Sequence, residues 1–183
     1  MYDIDMKHVS FEGVVIKKSN FSEADKIVTI FTKEFGKITV LAKGLRRLSS
    51  KRSGSLDLFS HIKGSSVSGR GNLPTLTEVL LINQHAAWKK HFGRISVAYR
   101  LAEVIDKLTA DSQPHPQTYD LFLAHLTNIS HLNKNWVADL DNWILGLLGS
   151  LGYLDIKSPL NIDLQAFIED LADRPLKSYS LIK

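Results

Sequence analysis

The chain has 183 residues, 44% hydrophobic and 23% charged, which is enough apolar surface to build a core in one large domain or two small ones. No apolar run reaches the roughly 20 residues of a membrane span, and the opening MYDIDMKHVS lacks the apolar stretch of a secretory signal, so a cytoplasmic setting is expected. Zero cysteines exclude disulfides, thiol catalysis and thiolate zinc sites, and the net charge of +4 is concentrated: residues 1–80 hold 13 Lys and Arg against 8 Asp and Glu, whereas residues 81–183 hold 10 against 11.

The first 80 residues have β character. FEGVVIKK (11–18) is a short β-branched run with Gly13 where strands bend or bulge. KIVTIFT (26–32) and KITVLAK (37–43) flank Lys33-Glu34-Phe35-Gly36, a connection that predicts a hairpin whose Gly36 adopts positive φ. In the second of these, Ile38, Val40 and Ala42 alternate with Lys37, Thr39 and Leu41, so one face is expected to be buried. LDLFSHIK (56–63) and TLTEVLLI (75–82) complete five strands, with SSVSGRGNLP between them as a loop. Five short strands in so few residues favour a small barrel over a sandwich.

After residue 84 the period changes. Phe92, Ile95, Ala98, Leu101, Ala102, Ile105 and Leu108 form a helical stripe. DSQPHP breaks it, and Pro116 suits the first turn of a second helix carrying Tyr119, Phe122, Leu126 and Ile129. NWVADLDNWILGLLGSLGY has a stripe wide enough to predict the central, mostly buried helix of a bundle, and Asp163 predicts the cap of a short helix over 164–172. The expected architecture is α+β: a five-stranded OB-type barrel over 1–82, then an all-α helical bundle over 83–183.

Little in the sequence points to catalysis. The acids are scattered rather than paired for a metal-dependent nuclease, with Glu23 and Asp25 read as turn residues. No GxxxxGK[ST] or G-x-S-x-G is present. His115, His125 and His131 lack the spacing of a metal-binding helix, so no metal or cofactor is expected. What remains is TVLAKGLRRLSSKRSG (39–54): from Lys37 to Arg52 there are six cations and no acid. Such a run holds a phosphate backbone or forms a solvated basic loop. Small OB-type barrels combine a positive groove with stacking residues. Phe21, Phe31, Phe35 and Phe59 are the stacking candidates, against a core role for phenylalanines at strand spacing.

The stretch FEGVVIKKSNFSEADKIVTIFTKEFGKITVLAKGLRR resembles the N-terminal barrel of the bacterial RecO family, whose pattern is roughly E-G-x-V-L, G-E-x-D-R-I-V-x-L-F-T and G-K-x-x-x-x-A-K-G-x-R-R. The matching residues are Glu12-Gly13, Glu23 to Val28, Phe31-Thr32, Gly36-Lys37, Ala42-Lys43-Gly44 and Arg46-Arg47; Ser22 and Lys26 depart mildly. PTLTEVLLI, YRLAEVIDKL and DRPLKSYSLI are similar to later family segments. The resemblance implies a shortened member lacking the zinc-binding cysteines that many members carry after the L-G-Y segment, here Leu151-Gly152-Tyr153.

The resemblance further implies a non-enzymatic DNA repair and recombination mediator. Such a protein binds single- and double-stranded DNA, anneals strands, and acts with RecR to load RecA on DNA coated by single-strand-binding protein (SSB). It carries Lys37, Lys43, Arg46 and Arg47 over as phosphate contacts; charge and loop position add Lys51, Arg52 and Arg70. For the acidic SSB tail, charge alone nominates Lys89, Lys90, Arg94 and Arg100. The alternatives are a protein–protein adaptor with little DNA affinity and an RNA-binding OB module.

Overall fold

The computed structural model describes residues 8–44, 54–68, 73–132, 136–154 and 163–178. Two compact units separate, Met1–Gln84 with Asp111–Pro114, and His85–Ala110 with His115–Lys183.

In the first unit, β1 (His8–Asn20), β2 (Lys26–Thr32), β3 (Gly36–Ala42), β4 (His61–Val67) and β5 (Thr75–Asn83) pair in the order β1-β2-β3-β5-β4, and β4 returns to β1 to close a barrel. Closure depends on the length of β1, which pairs with β4 through His8–Val14 and with β2 through Gly13–Asn20, with a bulge between Val15 and Lys17. An extra residue in one strand sharpens its bend, which is what a strand shared by two neighbours in a small barrel requires. Val15, Val28, Ile30, Ile38, Val40, Ile62 and Leu76 point inward with Phe11 and Leu56. Each such side chain contributes about 1.5–3 kcal/mol by leaving water.

The expected β2–β3 hairpin is present. Gly36 has φ of 67°, and Thr32 Oγ1 donates to the Gly36 carbonyl (2.8 Å) while accepting from the Phe35 amide (3.0 Å). The fourth strand differs from expectation. Of LDLFSHIK only His61–Lys63 lie in a strand; residues 54–59 form turns, and β4 is HIKGSSV, running on through Gly64–Val67 into the expected loop. The reason is tertiary: a Cβ on Gly64 would meet the Phe11 ring at 2.8 and 2.9 Å, so only glycine lets that aromatic lie across the strand. Ser65 and Ser66 are buried by pairing with β1 and β5 rather than by hydrophobicity. Leu56 and Phe59 are instead buried from the turn, which is tied to β1 by Phe59 N donating to Val15 O (2.7 Å) and Lys18 Nζ donating to Asp57 Oδ1 (3.0 Å).

The second unit contains α1 (Ala86–Lys89), α2 (Phe92–Leu108), α3 (Pro116–Asn128), a 3-10 turn (Ile129–His131), α4 (Trp136–Ser150) and α5 (Leu164–Ala172). Pro116 opens α3, and Asp163 caps α5 by accepting from the Gln165 and Ala166 amides. The central helix is α2 rather than α4. Val97, Ala98, Leu101, Ala102, Val104, Ile105 and Leu108 are buried on it, while on α4 the fully buried residues are Leu140, Ile144, Leu147 and Leu148. The tryptophans that widen the α4 stripe lie half-buried at its rim. Phe92, expected in the α2 stripe, is 71% exposed. No helix among the described residues is long and apolar enough to cross a membrane.

The C-terminal residues are strapped to α2 and α5 by carboxylates. Glu103 accepts from the Lys177 and Ser178 amides, each at 2.8 Å, and Glu169 accepts from the Leu176 amide at 2.9 Å. That last bond, with Gln165, holds the Glu169 carboxyl below its ordinary range.

His125 on α3 stacks on Trp143 of α4, ring centroids 4.8 Å apart, and burial lowers its pKa from 6.5 to about 4. The folded state thus favours neutral imidazole. This contribution is complete above pH 6.5 and is lost as pH falls from 6.5 toward 4. His125→Phe keeps a ring on Trp143 but cannot titrate. In thermal melts, wild type is expected to lose ground relative to this variant as pH drops from 7 to 4.5, whereas a constant difference would show that His125 does not contribute. The comparison is needed because burial raises the pKa of Asp141, which acts in the opposite direction.

Candidate nucleic-acid interface

At one end of the barrel the register places Asn20 of β1 opposite Lys26 of β2, and Lys26 opposite Ala42 of β3. Phe21 and Lys43 each lie one residue beyond that row, on strands about 10 Å apart. A single residue, Asp25, connects the two ends. Asp25 Oδ1 accepts from the Gly44 amide (2.8 Å), the Asp25 carbonyl accepts from the Phe21 amide (3.1 Å), and the Asp25 amide donates to Ser22 Oγ (3.2 Å). Asp25 therefore fixes the β1–β2 turn and ties it to the point where the cationic run leaves β3. The reading of Asp25 as a turn residue is met, but its reach to Gly44, 19 residues away, was missed. The Glu23-x-Asp25 spacing, part of the resemblance described above, was the available signal.

Lys43 is exposed at this junction. Arg46, Arg47, Lys51, Arg52 and Arg70 lie outside the described residues. Lys37 is different: its side chain is only 11% exposed, and its ammonium lies 3.5 Å from Asp111. The 111–114 segment runs beside it, with the Ser112 amide donating to the Lys37 carbonyl (2.9 Å). A cation so covered presents little surface to a polyanion, so its nomination as a phosphate contact is corrected to a structural ion pair.

The aromatic candidates separate cleanly. Phe31 and Phe59 are buried and Phe35 packs against the barrel core, whereas Phe21 is 58% exposed at the tip of the turn held by Asp25. Elsewhere on the unit, a groove of about 640 Å³ is lined by Glu12, Glu34 and Glu78 with Lys63 as its cation. Glu12 there bonds His61 (2.9 Å) and lies 3.6 Å from the Lys63 ammonium. Its net negative sign repels phosphate.

In the helical unit the four nominated cations diverge. Lys90 is exposed, and Lys89 and Arg94 are half-buried. Arg100 is 4% exposed and lies close enough to Asp141 and Glu169 to act on both carboxyls. A guanidinium inside the bundle cannot meet a partner's tail, so its nomination is corrected to internal charge compensation. Phe92 and Tyr99, two turns apart on α2, remain exposed. Among the described residues no group of three His, Asp or Glu converges as a metal-ligand set.

Residues 6–85 match the family described as Recombination protein O N terminal, and residues 90–154 match Recombination protein O C terminal. Among curated relatives, the DNA repair protein RecO of Symbiobacterium thermophilum is 32% identical over 142 residues, covering 78% of this chain and 56% of its own length. That of Rhodopirellula baltica is 35% identical over 141 residues, covering 75% and 52%. That of Listeria welshimeri is 33% identical over 118 residues, covering 64% and 46%. The chain thus spans about half the length of the curated relatives it matches.

Proposed function

The chain belongs to the RecO family of DNA repair proteins, and we propose that it is a non-catalytic mediator whose barrel, of OB type, binds and anneals single-stranded DNA. The observation carrying this reading is the Asp25–Gly44 bond, which anchors the exposed Phe21 turn against Lys43 at the start of a cationic run. An aromatic at the barrel end where a cationic run begins suits a strand whose bases are unstacked and whose phosphates need neutralising. Lys43, Arg46, Arg47, Lys51, Arg52 and Arg70 follow the backbone, on one strand or on duplex.

The helical unit supplies the partner surface. Phe92 and Tyr99, with Lys90 and Arg94 nearby in sequence, suit the acidic tail of SSB. Docking there, together with RecR, serves to load RecA on SSB-coated DNA. This division gives a DNA-binding domain over 1–82 and a docking domain over 83–183, working in the cytoplasm.

The test is fluorescence anisotropy of labelled oligo-dT titrated across salt. On single strands log K falls by about 0.7 per phosphate contact per decade of salt, so six contacts set a slope near −4. A slope near zero would exclude the mediator reading and leave the adaptor. Competition with oligo-U decides between DNA and RNA.

A further inference from the structure

We propose that Phe21 is a base-stacking site that makes the barrel prefer single-stranded over double-stranded nucleic acid, an inference that rests on the mediator reading. An exposed phenylalanine alone means little. Here three features coincide on one residue. Phe21 is 58% exposed, although Phe11, Phe31 and Phe59 in the same unit are buried and Phe35 packs on the core. It lies on a turn that is held, not loose: its amide and that of Ser22 both donate to the Asp25 carbonyl, and the Asp25 carboxylate is fixed by Gly44. It also shares the barrel end with Lys43, the described cation nearest in sequence to Arg46 and Arg47.

The ligand chemistry follows. A planar apolar ring exposed on a hydrogen-bonded turn, at the barrel end that carries Lys43, offers its face to a nucleobase whose own face is free. In a duplex those faces are covered by neighbouring pairs, so the ring contributes nothing there. Anchoring by Asp25 lowers the ordering cost of binding, because the turn is already tied by hydrogen bonds to Phe21, Ser22 and Gly44. Stacking is indifferent to which base arrives, so the site discriminates strandedness rather than sequence.

The experiment uses the full chain and four proteins: wild type, Phe21→Ala, Phe21→Leu and Phe21→Trp. Each is titrated against labelled oligo-dT and against a duplex of equal length over a range of salt. Phe21→Ala and Phe21→Leu are expected to bind oligo-dT roughly 5- to 100-fold more weakly. Their duplex affinity and salt slope should stay unchanged, since Phe21 neutralises no phosphate. Phe21→Trp restores or improves single-strand binding. If Phe21→Ala binds oligo-dT like wild type, or loses duplex and single strand equally, the stacking site is refuted while the salt-dependent wild-type binding stands. If wild type itself shows no binding, the mediator reading fails and the stacking site falls with it. Circular dichroism melts confirm that the variants are folded, as expected for an exposed position.

Discussion

Arg46→Glu/Arg47→Glu is expected to weaken oligo-dT binding by at least about 25-fold at 0.1 M salt, and to flatten the salt slope by about 1.4. On a single strand each phosphate contact contributes a factor of about 10^0.7, or fivefold, per decade of salt below 1 M. Losing two contacts therefore removes about 25-fold at 0.1 M, and two new carboxylates beside the strand add repulsion. Because the cost is electrostatic, it should shrink toward zero as salt approaches 1 M. A loss that persisted at high salt would point to misfolding or to lost stacking instead. Lys37→Met sharpens the comparison. This lysine belongs to the same family motif, but its ammonium lies against Asp111 and its side chain is 11% exposed. The variant should lose stability and leave the slope unchanged. If it flattened the slope as Arg46 does, the assignment of Lys37 to an internal ion pair would be wrong.

The contrast between Lys37 and Lys43 shows what periodicity can and cannot convey. Both precede or follow alternating apolar residues on the same strand, and both fall in the same motif. Their fates differ because residues 111–114 come back to lie along Lys37, and that return crosses more than 70 residues of chain. Strand β3 was legible because from Ile38 onward it buries one face and alternates accordingly, and β2 because it is a β-branched run, buried from Val28 to Thr32; helix α5 was legible because Asp163 is a local signal acting within three residues. The fourth strand was not, since its inward positions include glycine and serine and its burial comes from Phe11 on another strand. The same logic displaced α4 from the centre of the bundle. Tryptophan counts toward an apolar stripe wherever it lies, and only packing reveals that Trp143 is at the rim, where His125 covers its face.

For the candidate site, sequence identified the charge and structure identified the geometry. Six cations without an acid can be counted along the chain, yet which of several phenylalanines faces solvent depends on where the barrel closes. Asp25 illustrates the intermediate case. Its position in a turn was readable from its type, whereas its bond to Gly44 exists only because β1, β2 and β3 bring residues 25 and 44 to one end. Charge in the helical half was a poorer guide. Arg100 was counted as a surface cation, but its neighbours Ser96, Val97, Leu101 and Val104 are buried with it. A guanidinium among them lies near enough to Asp141 and Glu169 to favour the charged form of both carboxyls.

The largest single-residue effect on stability is expected at Gly36. It combines a φ of 67° with a backbone neighbour: a Cβ there would fall against the Gln113 carbonyl, far inside contact distance. Gly36→Ala thus incurs the left-handed penalty of about 1–2 kcal/mol and must also push residues 111–114 off the hairpin. That displacement removes the Ser112–Lys37 hydrogen bond and the Lys37–Asp111 pair. Together these amount to about 3–4 kcal/mol, or a fall of roughly 10 °C or more in the barrel's melting midpoint. Gly36→Asn separates the two causes. Asparagine tolerates positive φ but carries the same Cβ, so it recovers only the backbone part of the loss. Gly146→Ala on α4 is the matched control: the added methyl has nothing within 4 Å to strike, and alanine is the better helix former. It should raise stability by about 0.5–1 kcal/mol. Opposite signs for the same chemical change would place the Gly36 cost in its surroundings. An unaltered melt for Gly36→Ala would mean that residues 111–114 do not clamp the hairpin, and the structural role given to Lys37 would fail with it.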